Sequence, residues 1–184
     1  MKAYYFSKED RRLRYGDDRL IEDGVTHTIE GTSVLCGHGL HASAEPFDAL
    51  RYAPGPILWE VELSGDITVG EDKAVASERK YLRHIDATDL LRQFARKQAL
   101  SVIHLWDAPD VVKEYLETGK EELRAAAKTA AWAATRAATR DATRDASSIA
   151  GWAASPDVLV GARASAGQRE DFNGIVKKAF EGLK

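Results

Sequence analysis

The sequence predicts an α+β fold, with a compact β-rich region over residues 1–86 and an all-α region over residues 87–184. Three observations carry this. Short segments with a period of two fill the first half, glycine and aspartate punctuate them, and from Asp86 onward the apolar spacing becomes helical and alanine dominates.

At 184 residues, 44% hydrophobic and 30% charged, the chain is long enough for one ordinary domain or for one compact unit with an appended helical part. A net charge of −3 excludes a general attraction to nucleic acid or to anionic lipid, so nucleic acid is not an expected partner. The single cysteine, Cys36, rules out an intramolecular disulfide framework and fits a cytoplasmic location. No window approaches the roughly 20 apolar residues needed to span a bilayer, so no membrane partner is expected.

The elements follow in order. Lys2 to Phe6 is an aromatic strand, Tyr15-Gly16-Asp17-Asp18 and Asp23-Gly24 are turns, and Val25, His27 and Ile29 alternate with Thr26, Thr28 and Glu30. Ser43 is placed to cap a short helix carrying Phe47, Ala49 and Leu50, with Pro46 in its first turn and Pro54-Gly55-Pro56 ending it. Ile57, Trp59, Val61 and Leu63 define the core face of the clearest strand, with Glu60 and Glu62 beside Leu58 on a partly wet face. Gly65-Asp66 reads as a turn, and Lys73 to Ile85 as a returning strand.

A helix capped by Thr88 or Asp86 then presents Leu90, Leu91, Phe94 and Ala95, and a second starts at Asp107-Ala108-Pro109 and stops at Thr118-Gly119. A long alanine-rich helix is expected from about Lys120 to Ala154, pinned by Trp132 and Trp152. Its four-residue repeat keeps Arg136, Arg140 and Arg144 in one stripe, read as a solvated charged face. The last segment places Phe172, Ile175, Val176, Ala179, Phe180 and Leu183 on one helical face, which docks either on this chain or on a partner protomer.

Cys36, His38 and His41 have metal-binding side chains, but strand parity puts His41 opposite the other two, so no metal is expected. The block Gly37 to Tyr52, GHGLHASAEPFDALRY, with the strand Ile57 to Leu63, is the stretch that points to a site. It resembles the block of poly(ADP-ribose) polymerases in which a Gly-x-Gly strand leads into a helix ending in Ala-x-Tyr, followed by an apolar strand through Glu-Val to a turn. The resemblance implies an ADP-ribosyltransferase-like fold over residues 1–86 and a pocket for NAD or an ADP-ribose-type nucleotide. In it Tyr52 would stack on the flat ring, with Gly39, His41 and Ser43 lining the pocket. The family's histidine would fall at Tyr4-Tyr5-Phe6-Ser7 and is missing, and the counterpart of its catalytic glutamate would be Glu78. Binding without efficient transfer is therefore the expectation.

A second resemblance, through Cys36, Gly39-Leu40-His41-Ala42-Ser43, Leu58, Val61-Glu62 and His104-Leu105-Trp106-Asp107-Ala108-Pro109, is to uncharacterised proteins of tailed bacteriophages and their hosts. It implies a phage-related setting, such as host interaction or counter-defence, without an activity. The alternative is a structural protein that forms a homo-oligomer through its C-terminal helices and holds no ligand.

Overall fold

The structure, a computed structural model, describes residues 1–138 and 166–183. Five strands, β1 (Lys2–Ser7), β2 (Thr26–Thr28), β3 (Leu40–Ala42), β4 (Ile57–Val69) and β5 (Ala74–Asp86), form one antiparallel sheet. The order is β1-β4-β5-β2, and β3 also lies on β5. The helices are α1 (Pro46–Leu50), α2 (Thr88–Ser101), α3 (Asp110–Thr118), α4 (Glu121–Ala138) and α5 (Ala166–Glu181). This is the α+β arrangement that the sequence predicts. Among the described residues no helix is long and apolar enough to cross a membrane.

The chain divides into two compact units. The sheet unit runs from Met1 to Thr88 and includes the C-terminal segment with α5, while the helical unit begins at Asp89 and includes α3 and α4. The segment with α5, which the sequence reading places in the helical region 87–184, thus belongs to the same compact unit as the sheet. The amphipathic face of α5 docks on its own chain, against the sheet unit. Phe172 packs edge-on to Phe47 of α1 at 5.8 Å, Phe180 lies 6.3 Å from Tyr4 of β1, and Arg83 donates to the Phe180 carbonyl at 2.6 Å. Phe172, Val176 and Phe180 are buried, whereas Leu183, counted on the same face, is exposed just past the helix end.

In the sheet, Trp59, Val61 and Leu63 of β4 pack with Ile21, Leu40 and Tyr81 in one buried cluster, and burying each large apolar side chain contributes roughly 1.5–3 kcal/mol. The opposite face of β4 is drier than its glutamates suggest. Leu58 is fully buried, and Glu60 pairs with Arg83 at 2.6 Å. β4 also runs through Gly65-Asp66, where a turn is expected. The register shifts there, between Ser64 and Ile67, so the dipeptide makes a bulge. Gly65 has φ +74°, a Cβ on it would overlap the Ser77 hydroxyl, and the Asp66 N–H donates to that hydroxyl at 2.9 Å. The chain reverses later, where the Gly70 N–H donates to the Lys73 carbonyl at 2.8 Å.

β2 and β3 share the second edge of β5, at Glu78–Lys80 and Ala74–Ala76. Past β3 the chain reaches the far edge of β1, where Tyr4 and Ser43 exchange backbone bonds of 2.7 and 2.9 Å. The short segment 40–43 thus bridges the two sides of the sheet. This also corrects the expected cap: α1 starts at Pro46, Glu45 occupies the cap position without a side-chain capping bond, and Ser43 serves the sheet.

In the helical unit, α3 ends at Gly119, whose left-handed backbone lets its N–H donate to the Tyr115 carbonyl at 2.8 Å. Val112, Tyr115 and Leu116 of α3 pack with Ala95 and Ala99 of α2 and with Ala127 and Ala131 of α4, small residues that allow close helix approach. Trp132 is 53% exposed, so it does not pin α4 as expected. The expected continuation of that helix to Ala154, with Arg140, Arg144 and Trp152, lies outside the described residues.

Candidate functional site

The sheet unit holds a cleft of about 500 Å³. Its walls come from β1, the loop Leu13 to Asp17, the segment Cys36 to Ser43, the end of α1, Lys73 and Arg79. Of the candidates read from sequence, Gly39, His41, Ser43 and Tyr52 all line it. Glu78 is not among the lining residues; its carboxylate accepts the Ser64 hydroxyl at 2.8 Å.

Gly39 is required by close approach. It has φ +137°, and a Cβ there would overlap the Val75 side chain of β5. Immediately before it, the tight turn brings the His38 carbonyl to the Val34 N–H at 2.7 Å and leaves Cys36 exposed with φ +62°. Tyr15, also in the cleft lining, has φ +63° and is 93% exposed. Left-handed backbone at such residues costs on the order of 1–3 kcal/mol each, and strain of this kind gathers at functional sites.

His41 is locked as a neutral imidazole. Its Nδ1–H donates to the Gly39 carbonyl at 3.2 Å, and its Nε2 accepts the Cys36 N–H at 3.2 Å. Burial is the main cause that pushes its pKa below the ordinary 6.5, which agrees with this proton arrangement. Ser43 contributes backbone rather than chemistry, since its N–H and carbonyl are engaged with Tyr4.

Tyr52 stands at the mouth of the cleft, 42% exposed. Its hydroxyl donates to Asp72 at 2.7 Å, and Arg51 pairs with the same carboxylate oxygen at 2.8 Å. The Lys73 ammonium lies 4.3 Å from the centre of the Tyr52 ring. Burial works against the charge on Lys73, but the neighbouring Cys36 and Tyr52 side chains outweigh this and raise its pKa.

Arg79 escapes the sequence reading and is the most unusual group in the cleft. It is 2% exposed, its guanidinium stacks 3.8 Å above the Tyr5 ring, and its Nη1 donates to the His41 carbonyl at 2.5 Å. Its Nε and Nη2 both donate to the Tyr81 hydroxyl, at 2.9 and 2.6 Å. Strand alternation could have found it, because Arg79 is two residues from the buried Tyr81 and shares its face. Lys73, Arg14 and Tyr15, each in a turn or loop, carry no such periodic signal.

Among the described residues no three His, Cys, Asp or Glu side chains converge as a metal would require. The cleft instead offers several aromatic rings beside the cations Arg14, Lys73 and Arg79. Asp17, a carboxylate in its wall, is already bound by Arg19 at 2.6 Å. Such a surface suits a ligand with a flat ring and negative charge. No curated protein and no solved structure matches this chain. A family model described as a domain of unknown function (DUF7666) matches residues 8–93, a span that holds the cleft residues Gly39, His41, Tyr52, Lys73 and Arg79 and leaves out β1 and α5.

Proposed function

We propose that the sheet unit binds a nucleotide of the NAD or ADP-ribose type in this cleft, without efficient group transfer. The observation that carries the reading is the company of the exposed rings of Tyr52 and Tyr15 with Arg14, Lys73 and the buried Arg79 on the walls of one cleft. A base or nicotinamide ring finds aromatic surface there, and a diphosphate finds cations. The strand-helix-strand order through β3, α1 and β4 is in keeping with the ADP-ribosyltransferase-like arrangement. Transfer is not favoured, because Glu78 bonds to Ser64 away from the cleft lining and β1 offers tyrosines where that family has histidine. In a phage-related setting, holding such a nucleotide would serve host interaction or counter-defence.

Calorimetric titration with NAD and ADP-ribose tests this. Heat of binding is expected with at least one of them, weakened in Tyr52→Ala; an absence of heat with both removes the nucleotide reading. The other reading, assembly through the helical unit, is favoured by the exposure of Trp132 on α4. Light scattering distinguishes it, since a concentration-dependent mass that Trp132→Ala abolishes supports assembly, and a monomer at high concentration counts against it.

A further inference from the structure

The guanidinium of Arg79 is enclosed among neutral groups. Its three hydrogen bonds go to the Tyr81 hydroxyl and the His41 carbonyl, and Tyr5 covers one face. An arginine has five N–H donors, so two are unspent. The Tyr81 hydroxyl does not supply a counter-charge. Burial raises its pKa above the ordinary 10.0 although Arg79 opposes this, so it remains a neutral phenol at physiological pH. As the acceptor of two bonds from Arg79, that hydroxyl has its own proton directed to His27 Nδ1 at 3.3 Å. His27 is neutral as well, since burial lowers its pKa. The chain of bonds from Arg79 through Tyr81 to His27 thus includes no carboxylate. Asp17, in the cleft wall, is held by Arg19.

A cation this deep, without an anion among the described residues, is in a costly environment unless one arrives from outside. We propose that Arg79 is the seat of an anion, the diphosphate of the cleft's ligand, an inference that rests on the nucleotide reading for the ligand's identity and on Arg79 for the position of its charge. The unspent donors would bond phosphate oxygens, the Tyr5 ring would keep the guanidinium plane fixed, and the ring end of the nucleotide would lie toward Tyr52 at the mouth.

The test uses the full chain with three probes, inorganic pyrophosphate, ADP-ribose and adenosine, followed by calorimetry and thermal melting. Pyrophosphate and ADP-ribose are expected to bind and raise Tm, more weakly as salt increases, while adenosine does neither. Arg79→Gln is expected to weaken both anionic probes roughly 10- to 100-fold, as loss of a charge-assisted bond does. Should Arg79→Gln fail to fold, the double variant Arg14→Ala/Lys73→Ala decides. Pyrophosphate binding that persists there supports Arg79 as the seat, and binding that disappears overturns it. Adenosine binding as tightly as ADP-ribose, or a folded Arg79→Gln that holds pyrophosphate like the parent, also overturns it. The two readings separate cleanly: pyrophosphate binding without NAD or ADP-ribose keeps the seat and removes the nucleotide, and NAD binding indifferent to Arg79→Gln does the reverse.

Discussion

Lys73 holds its ammonium 4.3 Å from the centre of the Tyr52 ring, while Asp72, the preceding residue, accepts the Tyr52 hydroxyl at 2.7 Å. The β4–β5 turn therefore grips the end of α1 through one tyrosine, using both its face and its hydroxyl. A flat ligand on that ring must share it with Lys73 or take the other side. Because the ring and the hydroxyl have separate partners, their substitutions should separate too. Tyr52→Phe is expected to retain nucleotide affinity, and Tyr52→Ala to lose about 1–3 kcal/mol of it. Calorimetry with ADP-ribose measures both, and equal losses would assign the effect to the hydroxyl instead of the ring.

Gly39 is expected to tolerate no side chain. Gly39→Ala combines a left-handed backbone with overlap on Val75, and should destabilise by roughly 2–4 kcal/mol. Urea unfolding reads this directly, and adding Val75→Ala should recover the steric part. A Gly39→Ala midpoint equal to the parent's would show that the segment can move off β5.

Trp59 and Ser7 form a buried pair, with the indole N–H donating to the hydroxyl at 2.9 Å. Ser7→Ala leaves that donor without its acceptor, at an expected cost of about 1–3 kcal/mol. In a Trp59→Phe background the same change should cost much less. Chemical denaturation of the four proteins completes the cycle, and additive effects would mean that the bond contributes little.

Acid should weaken the sheet unit before its carboxylates titrate. Burial lowers the pKa of both His27 and His41 below the 6.5 of a free imidazole. Between 6.5 and those lowered values the unfolded chain binds more protons than the native one, so stability is full above the unfolded pKa and is lost as pH falls through the native ones. Urea midpoints measured from about pH 7.5 to about pH 5.5 should decline, less steeply in His27→Gln. A flat or rising midpoint on acidification would contradict this.

The attachment of α5 can be probed at Asn173, whose carbonyl oxygen accepts the Phe47 N–H at 2.8 Å in buried surroundings. Asn173→Ala removes the acceptor of this buried bond at the start of α1 and should cost roughly 1–3 kcal/mol. The proposed nucleotide cleft should loosen with it, since Tyr52 follows α1 directly. Melting and ADP-ribose titration of the variant check the two effects together, and an unchanged Tm would sink the first.

Strong periodicity made much of the fold legible. The odd positions of β4, the Pro109 and Gly119 boundaries of α3, and the i, i+4 apolar series of α5 all correspond to elements of the structure. The misreadings have local causes. Gly65-Asp66 has turn chemistry, but its positive φ and close approach to Ser77 serve a bulge inside a continuous ladder, which composition does not distinguish from a reversal. Ser43 has the right side chain for a cap, yet a long-range partner, Tyr4, takes its backbone. In the cleft, Gly39, His41 and Tyr52 were readable because one contiguous block carries them, while Arg79 arrives from a strand 38 residues beyond the His41 carbonyl it bonds.

The docking of α5 bears on how the protein is made. Phe47 and Asn173 are 126 residues apart in the chain, and the whole helical unit is synthesised between them. During translation the strands would leave the ribosome with the surface of Phe47 and Tyr4 still bare, while the helical unit could complete its own core first. The sheet unit would thus begin to emerge before the helical unit and complete its packing only after it.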